Sequence, residues 1–226
     1  MTASRPHPLA SDPEGSGCRA MQAADLPAIG VLHPQVLPPD FFSRLGPAFL
    51  RQYYASFLDS PFAVALVYVA DGRVAGFLVG AVDPGSQVAW TLRRHGPRMA
   101  LTAVVALLRK PPLLLYFVRT RLLRYAAAVI RRLVPSSRPV AATQQPAATL
   151  EQLGVAQDGH RRGTGRCLVA TFERTVQARG CTEVRLLTRA DAVGAGGFYR
   201  KLGYVAAGTS IGRDGVPWTV YRHALA

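Results

Sequence analysis

The sequence VAQDGHRRGTG, residues 155–165, joins a predicted strand over 149–156 to a predicted helix over 163–179. The first backbone N–H groups of a helix have no acceptor within it, and the helix dipole adds partial positive charge at that end. Glycines allow such a backbone to approach a phosphate group closely. This run therefore predicts a binding site for a diphosphate. Further positive charge at the site comes from Arg161, Arg162 and Arg166.

The spacing of these glycines excludes two common phosphate-binding motifs. It does not give the Gly-x-Gly-x-x-Gly of dinucleotide-binding folds, and it lacks the Gly-Lys-Ser/Thr that ends a Walker loop. Short glycine patterns also recur by chance. On this stretch alone, an ordinary glycine-rich loop between a strand and a helix is the alternative.

A second motif lies downstream, at Phe198-Tyr199-Arg200-Lys201-Leu202-Gly203-Tyr204. It is similar to the Phe-Tyr-x-Lys-Leu-Gly-Phe segment of the GNAT superfamily of acyl-CoA-dependent N-acyltransferases. The donor-binding motif of that family is Gln/Arg-x-x-Gly-x-Gly/Ala, five residues after a strand valine. Gly163 and Gly165 match this motif, whereas His160 replaces the usual Gln or Arg. With both motifs at the separation seen in the family, the chain from Cys18 onward resembles a GNAT domain, except over 90–140.

The resemblance implies both a fold and a donor. The fold is α/β, with a GNAT-like mixed, mostly antiparallel sheet flanked by helices and a helical insertion before the donor-binding strand. The donor is acetyl-CoA or another acyl-CoA, or else a phosphopantetheine-linked acyl chain. Its pantetheine arm would bond to the main chain of Leu153 and Val155. The diphosphate would be held by His160, Arg161, Arg162, Gly163, Thr164, Gly165 and Arg166.

Attack of an amine on a thioester needs a base for the amine and an acid for the departing thiolate. Tyr199 matches the family tyrosine that protonates the sulfur; the alternative is a half-buried tyrosine that packs a short helix. Glu151 lies four residues before Val155, which strand alternation places on the same face, and it is the candidate base. Burial would raise its pKa toward a useful value. The alternative is a strand-end carboxylate that faces solvent or pairs with an arginine.

The second motif also departs from the family pattern. The family often has an asparagine seven residues before the tyrosine, and Ala192 occupies that position here. Gly194, Gly196 and Gly197 make the short helix weak by propensity. The resemblance is therefore less complete on this side of the site.

Hydrophobic periodicity and turn residues predict the other elements. The predicted strands are 18–21, 62–70, 73–82, 182–188, 204–211 and 218–222, and the further helices are one that begins at Asp25, one over 47–58 and one that ends at Leu202. Asp25 is expected to cap its helix, and 33–39 to form a proline-rich loop after it. Residues 83–86 are expected to end the second strand of a hairpin that turns at Asp71-Gly72.

The net charge of +14 comes almost entirely from one segment. Eleven basic residues and no acidic residue lie between Thr91 and Pro139, which leaves 16 basic and 13 acidic residues for the rest of the chain. Residues 99–108 are apolar on all sides, and a helix over 119–134 would have an arginine face and an apolar face. No stretch reaches the about 18 uncharged apolar residues that cross a bilayer. The basic residues are Arg93, Arg94, Arg98, Arg109, Lys110, Arg119, Arg121, Arg124, Arg131, Arg132 and Arg138.

Three interpretations of this segment stay open. It is a structural cap whose arginines face water, or it lies on an anionic membrane surface. Alternatively it forms a roof over a long acyl chain, and its arginines dock an acidic acyl carrier protein. That last interpretation predicts transfer to a peptide or natural-product amine. In all three cases the acceptor is a small-molecule or peptide amine.

Two other classes of function also stay open. A pI near 10.8 suggests a nucleic-acid-binding protein, although the arginines alternate mainly with aliphatic residues and no nucleic-acid motif is present. A non-catalytic CoA-binding protein would share the donor site. We regard nucleic acid as the weaker of these alternatives.

The cysteines and the first residues indicate the compartment. Cys18, Cys167 and Cys181 form no Cys-x-x-Cys pair, which argues against a disulfide framework or a metal site and for a reducing compartment. Residues 1–17 are rich in Pro, Ser, Gly and Ala and are expected to be a flexible tail, not a signal peptide. We therefore expect a single domain over 18–226, in the cytoplasm or at the periphery of a membrane.

Overall fold

A hairpin that turns at Asp71 and Gly72 lies within the central sheet of the computed structural model. Both turn residues have positive φ, 50° and 71° respectively, as two-residue hairpins require. Its strands are β2, Ala63–Ala70, and β3, Arg73–Ala81, and they confirm the predicted hairpin. The structure describes residues 17–39, 41–119, 146–157, 163–190, 195–211 and 215–225.

Five further strands complete the sheet in the described part of the chain. They are β1 (Gly17–Ala20), β4 (Ala147–Val155), β5 (Glu183–Arg189), β6 (Val205–Ile211) and β7 (Pro217–Ala224). The strand order is β1-β2-β3-β4-β5-β7-β6. β4 and β5 are parallel, and the other neighbouring pairs are antiparallel. The mixed, mostly antiparallel α/β fold is therefore confirmed.

The helices flank this sheet on both faces. They are α1 (Leu26–Val36), α2 (Phe41–Leu45), α3 (Pro47–Leu58), α4 (Pro84–Arg94), α5 (Gly96–Leu108), α6 (Pro111–Phe117), α7 (Thr164–Gln177) and α8 (Gly196–Lys201). The predicted helix 47–58 is confirmed. Among the helices that the structure describes, none is both long enough and apolar enough to cross a membrane.

Two separate apolar cores hold the helices on the sheet. On one face, Leu168 and Phe172 of α7 are fully buried against the strands. On the other face, α1 and α3 cover the sheet with Ile29, Leu50 and Tyr54, each with 0% exposure. The central strands of the sheet are therefore shielded from water on both sides and are rich in apolar residues, whereas β6 is exposed.

The segment between β3 and β4 begins with α4, α5 and α6. A third apolar cluster joins α5 and α6 to α2 and α3, and it contains Phe41, Leu45, Phe49, Leu107 and Leu113. The helical insertion is therefore anchored on α2 and α3. Of the predicted helix over 119–134, only Arg119 lies within the described residues.

The predicted helix start at Asp25 is confirmed, since Asp25 is the residue before α1, but two other predicted features near α1 are wrong. The proline-rich loop over 33–39 is instead helical as far as Val36, with Pro34 inside the last turn. Leu32 and His33 are buried there, and this packing offsets the one hydrogen bond that a proline cannot donate. Asp25 does not cap α1 with its side chain. Its carboxylate accepts from both guanidinium nitrogens of Arg19, at 2.7 and 2.8 Å, and closes a 3₁₀ turn before the helix.

The expected strand end before 83–86 is confirmed, since β3 ends at Ala81, but the sequence did not predict that these residues also begin α4. Asp83 is the N-cap, and its Oδ1 accepts from the N–H of Ser86 at 3.1 Å. Pro84 follows in the first turn, where its missing N–H has no consequence. The same aspartate and proline therefore signal a helix start.

Gly80 of β3 lies where α7 presses most closely on the sheet. A Cβ at Gly80 would lie 2.5 Å from Phe172 Cε2 and 2.6 Å from the carbonyl oxygen of Thr149. Because neither group can move easily in this core, we expect Gly80→Ala to lower the free energy of unfolding by about 2 kcal/mol, as measured by urea denaturation. In the control Gly96→Ala the added methyl meets nothing within 4 Å, so stability should be unchanged or slightly raised. A Gly80→Ala protein as stable as the wild type would contradict this packing.

Candidate active site

β4 and β5 part halfway along β4. Their parallel ladder runs from Ala147 opposite Glu183 to Leu150 opposite Leu186. Beyond that point β5 continues beside β7, whereas β4 continues beside β3 as far as Val155. The two strands thus leave an opening between 151–155 and 187–189, which we call the β4–β5 opening.

The ladder between β3 and β4 determines where the backbone groups of β4 point. The N–H of Ala156 donates to the carbonyl of Ala75 at 2.8 Å. Hydrogen-bonded and non-hydrogen-bonded pairs alternate along antiparallel strands. Val155, and then Leu153, therefore belong to the non-hydrogen-bonded pairs, whose N–H and C=O groups point away from β3. They point toward the β4–β5 opening, on the side where the sequence predicts the pantetheine contacts.

The glycine-rich run opens α7 as predicted. Gly163 is the residue before the helix and has φ 81° and ψ 0°, a left-handed conformation that favours glycine. The first bond within the helix runs from the N–H of Cys167 to the carbonyl of Gly163, at 2.9 Å. Helix geometry leaves the N–H groups of the three residues in between without an acceptor inside the helix. His160, Arg161 and Arg162 lie outside the described residues.

Gly165 brings the two sequence motifs into contact. A Cβ at this position would lie 3.2 Å from Phe198 Cζ and 3.7 Å from Val155 Cγ2. The absence of a side chain lets Phe198 approach the first turn of α7. From the sequence, Gly165 is expected only to let a phosphate approach the backbone closely. The structure adds a packing role for Gly165, which links α7, α8 and β4.

Thr164 turns its side chain away from the surface. The residue is 1% exposed, and its Oγ1 has no hydrogen-bond partner among the described residues. A buried hydroxyl without a partner destabilises a fold by about 1–3 kcal/mol, and such groups need a specific explanation. The group that Thr164 offers to a ligand at the helix start is therefore its N–H. Taken with Gly163 and the open helix start, these residues fit a diphosphate.

Glu151 lies at a β-bulge. Val79 pairs with Gln152 and Gly80 pairs with Leu150, so Glu151 is the extra residue of β4. A bulge bends the strand that contains it and shifts the alternation of its side chains by one residue. Strand alternation therefore does not continue through Glu151.

The predicted common face of Glu151 and Val155 is wrong for this reason. Glu151 turns toward α3, where Tyr53 Oη donates to Glu151 Oε2 at 3.3 Å. Val155 lies on the opposite face, close to Gly165 of α7. Nothing in the sequence marks Tyr53 as a partner of this carboxylate, because the two residues lie 98 positions apart.

The surroundings of Glu151 change its acidity. Burial raises the pKa of its carboxyl above the ordinary value of 4.5, and the hydrogen bond from Tyr53 acts in the opposite direction. Burial has the larger effect, so the carboxyl holds its proton more strongly than an exposed glutamic acid does. Perturbed carboxyls of this kind are frequent in functional sites.

Tyr199 is buried more deeply than the sequence predicts. It is 5% exposed, and its ring contacts Phe198, Tyr204 and Tyr221 at centroid distances of 5.2, 5.5 and 6.3 Å. Burial raises the pKa of its phenol well above the usual range, so the hydroxyl stays protonated at neutral pH. Tyr199 belongs to the core on the α7 face, whereas Glu151 lies on the α3 face.

The comparisons with known proteins agree with this geometry. The model of the acetyltransferase (GNAT) family matches residues 108–204, which include β4, α7, β5, α8 and both sequence motifs. No curated protein sequence matches the chain. The family match therefore covers the opening, the helix start and Tyr199.

Solved structures share the fold over nearly the whole chain. SsHAT is 22% identical, with a TM-score of 0.58 over 93% of this chain and 98% of its own. The ribosomal-protein-S18-alanine N-acetyltransferase of Escherichia coli is 15% identical, with a TM-score of 0.54 over 93% and 94%. Ard1 from Thermoplasma volcanium is 15% identical, with a TM-score of 0.56 over 93% and 98%. At these identities the likeness is one of fold. The chain is therefore similar to the acetyltransferase (GNAT) family over residues 108–204, which contain both motifs, and it shares the fold of these solved structures.

Proposed function

We propose that the protein is an N-acyltransferase that transfers an acyl group from a CoA-type thioester to an amine by direct attack. The observation that supports this most strongly is the β4–β5 opening beside the start of α7. Along the opening, β4 offers backbone groups to the extended pantetheine arm. At the end of the opening, the start of α7 offers N–H groups and a helix dipole to the diphosphate. A helix start without such an opening would bind a phosphate but could not align a thioester.

The donor-binding residues divide by the part of the donor that they would hold. Leu153 and Val155 would bond to the pantetheine arm through main-chain groups, as their orientation toward the opening allows. Gly163, Thr164 and Gly165 would bind the diphosphate through N–H groups. Positive charge for the phosphates would come from His160, Arg161, Arg162 and Arg166.

Two side chains would move the protons. A thioester supplies an electrophilic carbonyl and a thiolate that can leave. Glu151 would accept the proton that the amine nitrogen loses as its bond to the carbonyl carbon forms, either directly or through a water molecule. Tyr199 would donate the proton that the sulfur gains as the carbon–sulfur bond breaks. Their positions on opposite faces of the sheet suit a base and an acid that act on opposite sides of the carbonyl.

A longer acyl donor, including a carrier-protein-linked chain, is the second candidate. The supporting observation is the anchoring of α5 and α6 on α2 and α3 through the apolar cluster that contains Phe49. Tyr53, one turn further along α3, contacts Glu151. The insertion therefore adjoins the candidate base, and the acceptor on this proposal would be a peptide or natural-product amine.

A turnover experiment tests the proposed function. Acetyl-CoA, a long-chain acyl-CoA and an acyl carrier protein loaded with the same chain are each incubated with a set of amines, and products are detected by mass. We expect Tyr199→Phe to lower kcat/KM by about 100-fold while the dissociation constant for coenzyme A is unchanged, because only the proton donor is lost.

Tyr204→Phe is the matched control for this experiment. Tyr204 is equally buried, contacts Tyr199, and donates to Glu173 Oε1 at 2.8 Å, so its loss should affect stability more than turnover. Binding of coenzyme A without turnover on any amine, together with no effect of Tyr199→Phe, would identify a non-catalytic donor-binding protein. Salt-sensitive retention on DNA without binding of coenzyme A would favour the nucleic-acid alternative.

The pKa of Glu151 gives a prediction that does not depend on a substrate. A carboxyl whose pKa is raised by folding binds its proton more tightly in the folded state, so the free energy of unfolding falls as pH rises from 4.5 through the folded pKa. In Glu151→Gln the side chain cannot ionise, so this fall in the free energy of unfolding does not occur. We therefore expect the variant to gain stability relative to the wild type as the pH of a urea denaturation series is raised above 4.5.

Asp83→Asn is the control with the opposite sign. Hydrogen bonds from Ser86 lower the pKa of the Asp83 carboxyl, so its contribution is present at neutral pH and is lost as pH falls through the folded pKa. The asparagine variant should therefore lose stability at neutral pH. A Glu151→Gln protein with the same pH dependence as the wild type would show that this carboxyl is not held in a buried site.

A further inference from the structure

Helix α5 exposes an apolar stripe. Leu101, Val104, Val105 and Leu108 are 65%, 50%, 39% and 67% exposed, and they follow one another at the spacing of a single helix face. The other face of α5 packs into the cluster with α2 and α3 through Leu107. The helix is therefore apolar on both faces, although the described residues cover only one of them. We call the four exposed residues the α5 stripe.

The helices next to α5 add further exposed apolar side chains. Leu115, Tyr116 and Val118, at and just beyond the end of α6, are 52%, 38% and 43% exposed. Val88 and Leu92, one turn apart on α4, are 47% and 48% exposed. Monomeric proteins seldom expose apolar side chains in such groups, and where they do, the surface usually has a partner.

Basic residues border the α5 stripe. Arg98 lies one turn before Leu101, and Arg109 follows Leu108 directly, so each end of the stripe has an arginine. No aspartate or glutamate occurs from residue 84 to residue 150. The exposed basic residues of the described part of this segment are Arg93, Arg94, Arg98, Arg109, Lys110 and Arg119. The face therefore combines bare aliphatic side chains with positive charge.

We propose that this face docks on an anionic lipid membrane, independently of the catalytic proposal. The α5 stripe enters the boundary between headgroups and acyl chains, and the flanking basic residues contact lipid phosphates. A helix that is apolar on its exposed face and flanked by Arg or Lys is the usual form of an interfacial helix. The negative surface potential of such a membrane complements a segment without acidic residues.

The composition of the stripe favours a membrane over a protein partner. Protein interfaces derive most of their affinity from Trp, Tyr and Arg, and Leu and Val are under-represented among their strongest contacts. The stripe contains only Leu and Val. A lipid boundary accepts aliphatic side chains without shape complementarity, so it suits this composition better than an acidic carrier protein does. Since α5 is only 13 residues long, it lies on the membrane and does not cross it.

Sedimentation with vesicles tests this proposal on the full chain. Vesicles of phosphatidylcholine that contain phosphatidylglycerol are compared with vesicles of phosphatidylcholine alone, at low and at raised salt. We expect binding to the anionic vesicles to be at least about tenfold stronger and to weaken as salt is added. Equal binding to both kinds of vesicle, or none to either, would overturn the proposal.

Substitutions separate the apolar contribution from the ionic one. The double variant Leu101→Asn, Leu108→Asn should lower binding at least about tenfold, because two leucines no longer leave water. Arg98→Gln with Arg109→Gln should lower it by about tenfold at low salt and make its salt dependence less steep. Val205→Asn with Ile211→Asn is the matched control, since these β6 side chains are 68% and 78% exposed elsewhere on the molecule, and its binding should equal that of the wild type. All these positions are exposed, so thermal unfolding should confirm that each variant is folded.

Three outcomes would contradict docking on a membrane. If the leucine variant sediments with vesicles like the wild type, the binding is only non-specific electrostatic adsorption, and the α5 stripe does not enter the membrane. Self-association in light scattering that the leucine variant abolishes, without vesicle binding, would assign the stripe to a second copy of the chain. Retention of an acidic acyl carrier protein, without vesicle binding, would assign it to that partner.

Discussion

The parting of β4 from β5 after Leu150 and Leu186 is the constraint on which the rest of the site depends. β4 stays bonded to β3 as far as Val155, while β5, which pairs with β7 along its whole length, no longer pairs with β4 after Leu186. The bulge at Glu151 lies where the strands part, and a bulge bends its strand. The backbone groups of β4 that do not bond to β3 thus point toward the β4–β5 opening beside the start of α7. Without this divergence the sheet would be continuous, and no extended ligand could bond to a strand in its middle.

Apolar burial in the two cores offsets the destabilisation that polar groups in the candidate site cause. Glu151 is half-buried with a raised pKa, and the hydroxyl of Thr164 is buried without a partner among the described residues. Each of these groups destabilises the folded state. The fully buried side chains of α7 on one face, and of α1 and α3 on the other, supply the opposing stabilisation. Polar groups left in such positions are typical of sites that act on a ligand.

The sequence predicted the fold well because its signals are local. Asp71-Gly72 favours a tight hairpin, and Gly163 can adopt the left-handed conformation found at the start of α7. The errors arose where tertiary packing overrides a local signal. Pro34 did not end α1, because Leu32 and His33 pack against the sheet. Asp83 and Pro84 can end a strand or begin a helix, and the composition does not distinguish these outcomes.

For the site, the sequence proposed Glu151 and Tyr199 but did not predict their geometry. A bulge depends on the register of two strands, so it cannot be predicted from the sequence of β4 alone. For this reason the predicted face of Glu151 was wrong. The hydrogen bond from Tyr53 joins residues 98 positions apart. The apolar character of α5 was visible in the sequence, whereas the division into a packed face and an exposed one depends on where α2 and α3 lie.

A crystal structure of the protein with coenzyme A would show whether the donor lies against β4. We expect the pantetheine arm to lie in the β4–β5 opening and to bond to the main chain of Leu153 and Val155. We also expect the diphosphate to rest on the N–H groups from Gly163 to Gly165. Coenzyme A bound elsewhere on the molecule, with β4 and β5 closed on each other, would contradict the proposed donor site.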